Sequence, residues 1–402
     1  MFFDTIVVGG GPAGLFAASH IGKSGGSVLL LEKNEQLGKK LLVAGSGQCN
    51  FTHDGEISNF FDKYGNKGKF IKKSLLQFDN NYVQQFFNNY GVSNFAREDG
   101  KVFPKSLKSM DVLNALIEAN KKANVKIQCK SNIEKISLED ELFFIEATQN
   151  YSCKNLVIAT GGMSYSKLGS NGWGYGIAKQ FGHTIIPPKP ALTYVETKEK
   201  FLTELSGISF QNAEVIIWRD NKKVKQYEGS LLLTHKGVSG PIILNSSRWI
   251  LPNDKLTFKF DKLVDDALIT SKIQNGQKQT ISNMLENLEF PKNFVRLMLD
   301  YISIDKNTKC AEITKRQRKN IIQFLTSLPL NVNSLGGMHV AMVTAGGVST
   351  KEINPKTFES KKINNLYFIG EVLDIDGDTG GYNIQACFSS GAMCASAISL
   401  KQ

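Results

Sequence analysis

Three glycines near the start of the chain have the spacing of a loop that binds a dinucleotide. Gly9, Gly11 and Gly14 form G-x-G-x-x-G directly after the apolar residues 5–8, which predict a short buried parallel strand. The first glycine of such a loop permits a tight turn, the second lets the backbone approach a pyrophosphate, and the third allows helix and strand to pack closely. The amides at the start of the following helix would form the phosphate site.

The residues around this loop strengthen the prediction. Pro12, followed by Ala13, stands where the first turn of a helix tolerates proline. Residues 27–31 predict a second strand, and it ends at Glu32, about 20 residues after the glycines, where an acid hydrogen-bonds to the ribose of an adenosine. The motif does not distinguish FAD from NAD, because both contain adenosine diphosphate.

A second glycine turn near the C-terminus favours FAD. Residues 366–371 predict a strand, a loop leads from it to Gly380 and Gly381, and a helix of small residues begins near Tyr382. The positive end of that helix would stabilise the negative charge of a reduced flavin. A ligand held by one pyrophosphate loop does not need this second helix terminus. No other G-x-G-x-x-G follows a strand, so we expect NAD(P)H to dock only transiently over the flavin.

Blocks along the chain resemble one flavoprotein family. They are VVGGGPAG, GKKLLVAGSGQCNFT, ATGGMSYSKLGSNGWGY, LLLTHKGVSGP and the long block from TAGGVSTKEINPK to GEVLDIDGDTGGYN. From residue 3 to the C-terminus they are similar to the BaiN/aminoacetone-oxidase family of NAD(P)/FAD-dependent oxidoreductases. The resemblance implies an α/β fold with a split, glutathione-reductase-type, Rossmann-like FAD domain, an inserted β-barrel-like domain and a nested helical domain. Members of this family are linked to bile-acid ring reduction and to amine oxidation.

The resemblance also implies the cofactor contacts, with one departure. Many members carry an arginine where this chain has Gln48, so a fixed charge near the cofactor or substrate is missing from that position. We expect FAD to be held tightly but non-covalently by Gly9, Gly11, Pro12, Ala13, Gly14, Glu32, Lys33, Lys40, Ser46, Gly47, Cys49, Asn50, Thr160, Gly161, Gly162, Gly370, Glu371, Gly380, Gly381, Tyr382 and Asn383.

Candidates for the chemistry beyond the flavin are few. A flavin performs the redox step itself, so the protein has to orient the substrate and move a proton. His235, in LLLTHKGVSGP, could transfer a proton near neutral pH or merely stabilise its loop. Cys49 could contact the flavin, act as a reactive thiol or simply pack beside the cofactor, and Tyr382 opens the C-terminal helix. His53 has no supporting pattern, and no metal site is expected.

Composition indicates a globular protein of two or three domains. The chain has 402 residues, of which 41% are hydrophobic. We predict an FAD-binding domain from residues 1–190 and 333–402, a β-domain from residues 191–264 and 328–332, and a helical insert from residues 265–327. Within the FAD-binding domain, the polar and aromatic region 53–110 predicts helices packed on the sheet.

The location and partners follow from patterning and charge. The N-terminal apolar run is too short for a signal peptide, and no stretch reaches the roughly 18 apolar residues of a membrane span. Six cysteines without a C-x-x-C pair suit a reducing compartment, so we expect a cytoplasmic protein. The net charge of +11 and the basic run 315–319 suit an anionic partner or a solvated face. The oligomeric state is not determined by the sequence.

These features predict an FAD-dependent oxidoreductase that acts on a small organic molecule, with NAD(P)H as electron donor. Within the class, an amine oxidase that uses molecular oxygen is the alternative. A flavoprotein that modifies tRNA or associates with nucleic acid is an alternative of another class, because a basic protein suits a polyanion.

Overall fold

The computed structural model describes residues 1–401, and they form two compact units. The first unit comprises residues 1–191 and 338–402, of which Gln402 lies outside the described residues, and the second comprises residues 192–337. The α/β class and the barrel predicted from the sequence are confirmed. The three-part division into domains stays a prediction. Among the helices of residues 1–401, none combines the length and the apolarity needed to cross a bilayer.

The N-terminal part of the first unit alternates strands and helices. Its strands are β1 (Phe2–Val8), β2 (Val28–Leu31), β3 (Thr52–His53), β4 (Asn94–Ala96), β5 (Lys101–Pro104), β6 (Lys126–Gln128), β7 (Lys135–Glu139), β8 (Leu142–Glu146), β9 (Tyr151–Ile158) and β10 (Ile185–Ala191). Its helices are α1 (Pro12–Lys23), α2 (Lys39–Leu42), α3 (Gly68–Gln77), α4 (Asn80–Asn89), α5 (Ser109–Lys122) and α6 (Trp173–Gln180).

The second unit is a closed six-stranded barrel with attached helices. Its strands are β11 (Val195–Thr197), β12 (Ser209–Arg219), β13 (Lys222–Thr234), β14 (Gly237–Ser239), β15 (Lys255–Lys259) and β16 (Leu328–Leu335), in the order β11-β14-β13-β12-β15-β16. Its helices are α7 (Pro241–Ser246), α8 (Asp266–Asn275), α9 (Ile281–Glu286), α10 (Lys292–Tyr301) and α11 (Lys315–Ser327). Barrel residues such as Phe258 and helix residues such as Phe294 and Phe324 share one buried apolar cluster, so the helices complete the core of this unit.

The chain then returns to the first unit with β17 (Val343–Val348), β18 (Leu366–Phe368) and α12 (Tyr382–Ser399). The main sheet has the order β6-β2-β1-β9-β8-β7, and β18 pairs in parallel with β9. Strands β6, β2, β1 and β9 are parallel, whereas β7 and β8 form an antiparallel extension. The parallel strands β1 and β2 are apolar and largely buried because helices cover the sheet.

Helices α1 and α12 pack on each other at very close range. A Cβ atom at Gly391 would lie 2.9 Å from the backbone oxygen of Ala13, so only glycine fits there without a shift. The small residues of α12 therefore allow the N-terminal and C-terminal parts of the unit to meet beside the sheet. This contact brings the two predicted cofactor loops into one unit.

Two local predictions differ from the structure. Residues 53–110 contain helices, as expected, but they also include the three-stranded sheet β3-β5-β4, in which residues 102–104 are buried. The predicted strand 366–371 ends at Phe368, because Gly370 adopts a positive φ of 69° and the chain turns into a 3-10 helix, Gly370–Val372.

Candidate functional site

The first glycine loop has the geometry that a pyrophosphate requires. A Cβ atom at Gly14 would overlap the backbone oxygen of Gly9, and Gly9 itself has a φ of 113°. In contrast, a Cβ atom at Gly11 would meet nothing within 4 Å, and no side chain caps the start of α1. The loop thus presents open space beside an uncapped helix N-terminus, into which an anionic group fits.

Glu32 fastens this loop to the end of β2. Its side chain is buried, and one carboxylate oxygen accepts a 2.7 Å hydrogen bond from the amide of Gly10. The other oxygen accepts from the backbone amide and the side-chain amide of Asn34, at 2.8 and 2.7 Å. A carboxylate has about four acceptor sites, so one stays available to a ribose hydroxyl. Lys33 lies next to it and is exposed.

The GSGQCN block forms a tight bend after α2. Gly45, Ser46, Gly47 and Cys49 all have positive φ values, between 56° and 85°. Cys49 is fully buried, and this burial raises the pKa of its thiol well above the usual value, so the sulfur stays protonated. Asn50 donates its side-chain amide to the backbone oxygens of residues 52 and 102. The bend therefore owes its shape to backbone geometry, and Cys49 lacks the thiolate character of a nucleophile.

The guanidinium of Arg97 lies beside Gln48, the position at which this chain departs from the family that it resembles. Arg97 donates to the side-chain oxygen of Gln48 at 2.6 Å, and its guanidinium carbon lies 3.9 Å from the centre of the Phe103 ring. The positive charge that the position of Gln48 lacks is thus supplied beside it by the β4–β5 turn. A positive charge therefore lies beside Gln48, although position 48 itself is uncharged.

A polar network joins four distant segments of the first unit. The Lys40 ammonium lies 2.6 Å from one carboxylate oxygen of Glu371 and donates to Ser164 at 2.5 Å. Ser164 and the backbone amide of Thr344 donate to the other Glu371 oxygen, at 3.0 and 2.9 Å. The Thr344 hydroxyl accepts from the amides of Met163 and Ser164. Lys40 and Glu371, predicted separately as cofactor residues, are in fact partners of each other.

The loop after β9 needs its glycines for this network. A Cβ atom at Gly162 would overlap the Thr344 hydroxyl, and Gly161 has a φ of 72°. The hydroxyl of Thr160 is buried and has no hydrogen-bond partner within residues 1–401. At the end of β18, a Cβ atom at Gly370 would lie 2.8 Å from the Cβ of Ala13 on α1. The turn at Gly370 is therefore in direct contact with the start of α1.

The second glycine turn is shaped by close backbone contact. Gly380 and Gly381 have φ values of 120° and 94°, and a Cβ atom at Gly381 would overlap the backbone oxygen of Thr52. Helix α12 begins at Tyr382, and its N-cap residue, Gly381, has no side chain with which to cap the helix. Asn383 uses its side chain to hold the turn at Gly377, donating to its oxygen at 2.9 Å and accepting from its amide at 2.7 Å. Like α1, α12 thus starts from a glycine N-cap.

An aromatic cluster surrounds Tyr382. The His53 ring stacks on the Tyr382 ring at 4.9 Å between centroids and 16° between planes, and Phe60 meets it edge-on at 5.0 Å. Burial raises the pKa of Tyr382 to about 12, helped by the charge of Asp378, so its hydroxyl stays protonated at neutral pH. Tyr64 donates to the Tyr382 backbone oxygen at 2.8 Å.

His53 itself is held at both ring nitrogens. They lie 2.7 Å from the backbone oxygen of Asp54 and 3.1 Å from that of Asp99. Both partners are backbone carbonyl oxygens, which accept a hydrogen bond from a ring N–H. A Cβ atom at Gly100 would overlap the ring, which shows how closely it is enclosed.

His235 lies in the second unit, in the turn between β13 and β14, and is exposed. No hydrogen bond to its ring occurs within the described part of the chain.

Sequence reasoning missed His53, Ser164, Thr344 and Arg97. Three of them lie in or beside blocks already noted, NFTH, GGMSYS and TAGGV, but their partners are far away in sequence and no local spacing marks them.

The arrangement suits a long dinucleotide. Two helix N-termini with glycine N-caps, one beside open space at Gly11, belong to one unit, together with a buried acid at the end of β2. A lysine–glutamate pair and a left-handed bend complete the surroundings. FAD matches this set because it carries a pyrophosphate near an adenosine and a flavin ring whose reduced form is anionic.

Comparison with known families supports a protein that binds FAD. The model of a family described as "HI0933-like protein Rossmann domain" matches residues 3–397. The chain is 34% identical over 410 aligned positions to a protein of Haemophilus influenzae named ribosomal RNA dihydrouridine synthase, covering 99% of both chains. It is 30% identical to a protein of the same name from Escherichia coli, covering 98% of this chain and 97% of that one. A 3-dehydro-bile acid delta(4,6)-reductase of Clostridium scindens is 29% identical, covering 97% and 98%.

Solved structures share the fold. A 3-ketosteroid delta1-dehydrogenase from Sterolibacterium denitrificans aligns with a TM-score of 0.54, covering all of both chains at 11% identity. A flavocytochrome c3 fumarate reductase aligns with a TM-score of 0.53, covering 99% of this chain and 78% of that chain at 15% identity. At such identities the likeness concerns the architecture.

Proposed function

Because the chain belongs to the HI0933-like Rossmann family of FAD-dependent oxidoreductases, we propose that it reduces a carbon–carbon double bond conjugated to a carbonyl group, in a uracil base of RNA. The observation that carries the proposal is the full-length similarity to two proteins named ribosomal RNA dihydrouridine synthase. Because the matches cover nearly all of both chains, they include the barrel and helices of the second unit as well as the first.

The chemistry behind the relatives' names is consistent. Dihydrouridine differs from uridine by saturation of the C5–C6 bond, which is conjugated to the C4 carbonyl. A delta(4,6)-reductase acting on a 3-dehydro bile acid likewise reduces double bonds in conjugation with a ketone. In each case one carbon receives a hydride and its neighbour receives a proton. A single site that delivers hydride to an electron-poor alkene thus accounts for both names.

The residues of the first unit suit the parts of this reaction that the protein must supply. FAD, when bound, provides the hydride, and we propose NAD(P)H as the source of its electron pair. The amides at the starts of α1 and α12 would hold the pyrophosphate and the electron-rich edge of the flavin. Lys40 and Glu371 would fix the surrounding loops, and Glu32 would accept from the adenosine ribose.

Three side chains are candidates for the proton donor of this reaction, and they differ in chemistry. Tyr382, whose hydroxyl stays protonated at neutral pH, is one candidate, and the imidazole of His235 is the other. The buried Cys49 thiol is the weakest of the three, because burial raises its pKa. Tyr382→Phe and His235→Asn test the other two by the solvent deuterium effect on single-turnover reduction of the substrate.

The test is direct formation of the product. The purified holoprotein, NADPH and ribosomal RNA lacking modifications are incubated without air, and the digested nucleosides are analysed by mass spectrometry. We expect dihydrouridine at a defined site, formed by the wild type and absent with a flavin-free variant. RNA that gains no hydrogen, while NADPH still reduces the flavin, would reject uracil as the substrate.

Reduction of a small conjugated ketone is the second candidate. It is favoured by the similarity to the bile-acid reductase over nearly the whole of both chains. In this case a 3-oxo-4-ene steroid or simple enone would reoxidise the reduced flavin, and RNA would not. An amine oxidase, in contrast, would release peroxide from an amine in air without any nicotinamide.

A further inference from the structure

Helix α11 begins with a block of unneutralised positive charge. Lys315, Arg316, Arg318 and Lys319 fall within its first five residues, and its first turn contains no acid. Lys315, Arg316 and Lys319 are exposed, and Arg318 is half-buried. Within residues 1–401, none of the four forms an ion pair with a carboxylate. The opposite face of the helix is apolar, with Ile321, Phe324 and Leu325 buried in the core of the second unit.

This block is not explained by the stability of the helix. The N-terminus of a helix carries a partial positive charge, so cations in its first turn are unfavourable there and repel one another. The terminal amides do not need them either. Thr314 accepts from the amide of Gln317, whose side chain in turn accepts from the Thr314 amide, in a complete capping box.

Another pair of lysines in the chain shows the opposite arrangement. Lys121 and Lys122 are the last two residues of α5, where cations are favourable for the helix dipole. Both are exposed, and the Lys122 ammonium lies 3.9 Å from the carboxylate of Glu118, one turn earlier. The charges of α5 therefore have a structural role, whereas those of α11 lack one.

Further exposed cations lie on the turns that lead into α11. Lys309 precedes the 3-10 helix Cys310–Glu312, and the amide of Cys310 donates to the backbone oxygen of Gln279. That bond holds Lys278, on the preceding turn, beside this segment. Both lysines are exposed, and no ion pair joins either of them to an acid in the described chain. Two more exposed lysines thus lie on the segments that precede α11, together with one exposed acid, Glu312.

We propose that the basic end of α11, comprising Lys315, Arg316, Arg318 and Lys319, is a docking surface for the phosphate backbone of RNA. This inference rests on the proposed function, since it assigns that substrate a place of contact. Lysine and arginine side chains bind phosphates without reading sequence, so this surface gives affinity and leaves the choice of base to the flavin site. Such a surface destabilises the helix, because its cations lie at the positive end of the helix dipole without acidic partners.

The test uses two matched double variants of the holoprotein. Lys315→Gln/Arg316→Gln removes two charges from the first two residues of α11. Lys121→Gln/Lys122→Gln removes two charges from the last two residues of α5. Binding of a fluorescent single-stranded RNA that contains uridine is measured by anisotropy at several salt concentrations, and the melting temperature is measured without RNA.

We expect opposite results from the two variants. Loss of two phosphate contacts lowers the slope of log Kd against log salt by about 1.4, at about 0.7 per contact, which corresponds to roughly 25-fold weaker binding at 0.1 M salt. The same α11 variant should melt at the wild-type temperature or above it, because unfavourable charges are removed. The α5 variant should keep the RNA affinity and melt lower.

Each other outcome overturns the inference. Equal RNA affinity and slope in both variants would show that the α11 cations do not contact RNA, even if the wild type forms dihydrouridine. Loss of binding to vesicles containing anionic lipid, with RNA binding intact, would assign the surface to a membrane instead. Failure of the proposed function is seen separately, as absence of dihydrouridine with the wild type.

Discussion

Gly11→Asp separates cofactor binding from folding, because the structure places nothing against this position. A Cβ atom there has no neighbour within 4 Å, and Gly11 has φ −84° and ψ −178°, which any residue adopts. Gly11 is also the N-cap of α1, a position that aspartate favours. Replacing glycine by aspartate is therefore expected to leave the free energy of unfolding of the flavin-free protein unchanged or to raise it by up to about 1 kcal/mol.

The same substitution should strongly weaken the binding of FAD, in contrast to its neutral or stabilising effect on folding. A carboxylate at ~5 Å from one pyrophosphate charge, at an effective dielectric constant of ~20, repels it by about 3 kcal/mol. The new carboxylate would also accept hydrogen bonds from the α1 amides that would otherwise bind the pyrophosphate. About 3 kcal/mol corresponds to a loss of affinity for FAD of at least a hundredfold. The variant should be purified colourless and folded.

The assay is titration of flavin-free protein with FAD, followed by fluorescence, alongside chemical denaturation. Gly176→Asp is the control, because Gly176 is exposed on α6 and a Cβ atom there also meets nothing within 4 Å. It should stay yellow. A Gly11→Asp protein with near-wild-type affinity for FAD would refute the assignment of the α1 N-terminus to the pyrophosphate.

Three further predictions concern the network, the aromatic cluster and acid stability. Glu371→Gln leaves the Lys40 ammonium without its charge partner, so denaturation of the flavin-free protein should show a loss of about 1–2 kcal/mol, and an unchanged stability would contradict the network. His53→Phe keeps the stacking on Tyr382 but removes both ring hydrogen bonds; we expect a loss of about 1–2 kcal/mol and weaker FAD binding, and wild-type values for both would argue against this role. At Glu352 burial opposes ionisation, but hydrogen bonds from Lys362 and Thr184 prevail and lower its pKa from 4.5 to about 2. Its stabilisation is present above pH 4.5 and lost as the pH falls to about 2, so Glu352→Gln should remove about 1 kcal/mol at neutral pH, after allowance for solvent screening, and flatten the acid limb of the stability curve.

The parts of the site that the sequence predicted best are those determined locally. The roles of Gly9, Gly11 and Gly14 follow from backbone sterics within a few residues, and the structure shows overlap at one position and open space at another. The start of α12 at Tyr382 was predicted for the same reason, since paired glycines end one segment and small residues begin the next. Whether these residues bind FAD stays a prediction.

The parts that were missed depend on contacts between distant segments. Lys40 and Glu371 are 331 residues apart, and nothing in their local spacing indicates that they pair. His53 gained significance only when the fold placed it on Tyr382. Likewise, Arg97 reaches Gln48 through the β4–β5 turn, in a region predicted to be helical. Side-chain partners across a split unit cannot be read from periodicity, because periodicity describes only the face that each element presents.

The measurement that tests the central claim most directly is anaerobic reoxidation of the reduced flavin. The holoprotein is reduced with one equivalent of NADPH, and an RNA containing uridine is then mixed in while the flavin absorbance is followed. We predict that the yellow colour returns with uridine RNA, that dihydrouridine appears in equal amount, and that RNA already containing dihydrouridine has no effect. A flavin that stays bleached with RNA, but is reoxidised by a conjugated ketone or only by oxygen, would contradict the claim that uracil in RNA is the substrate.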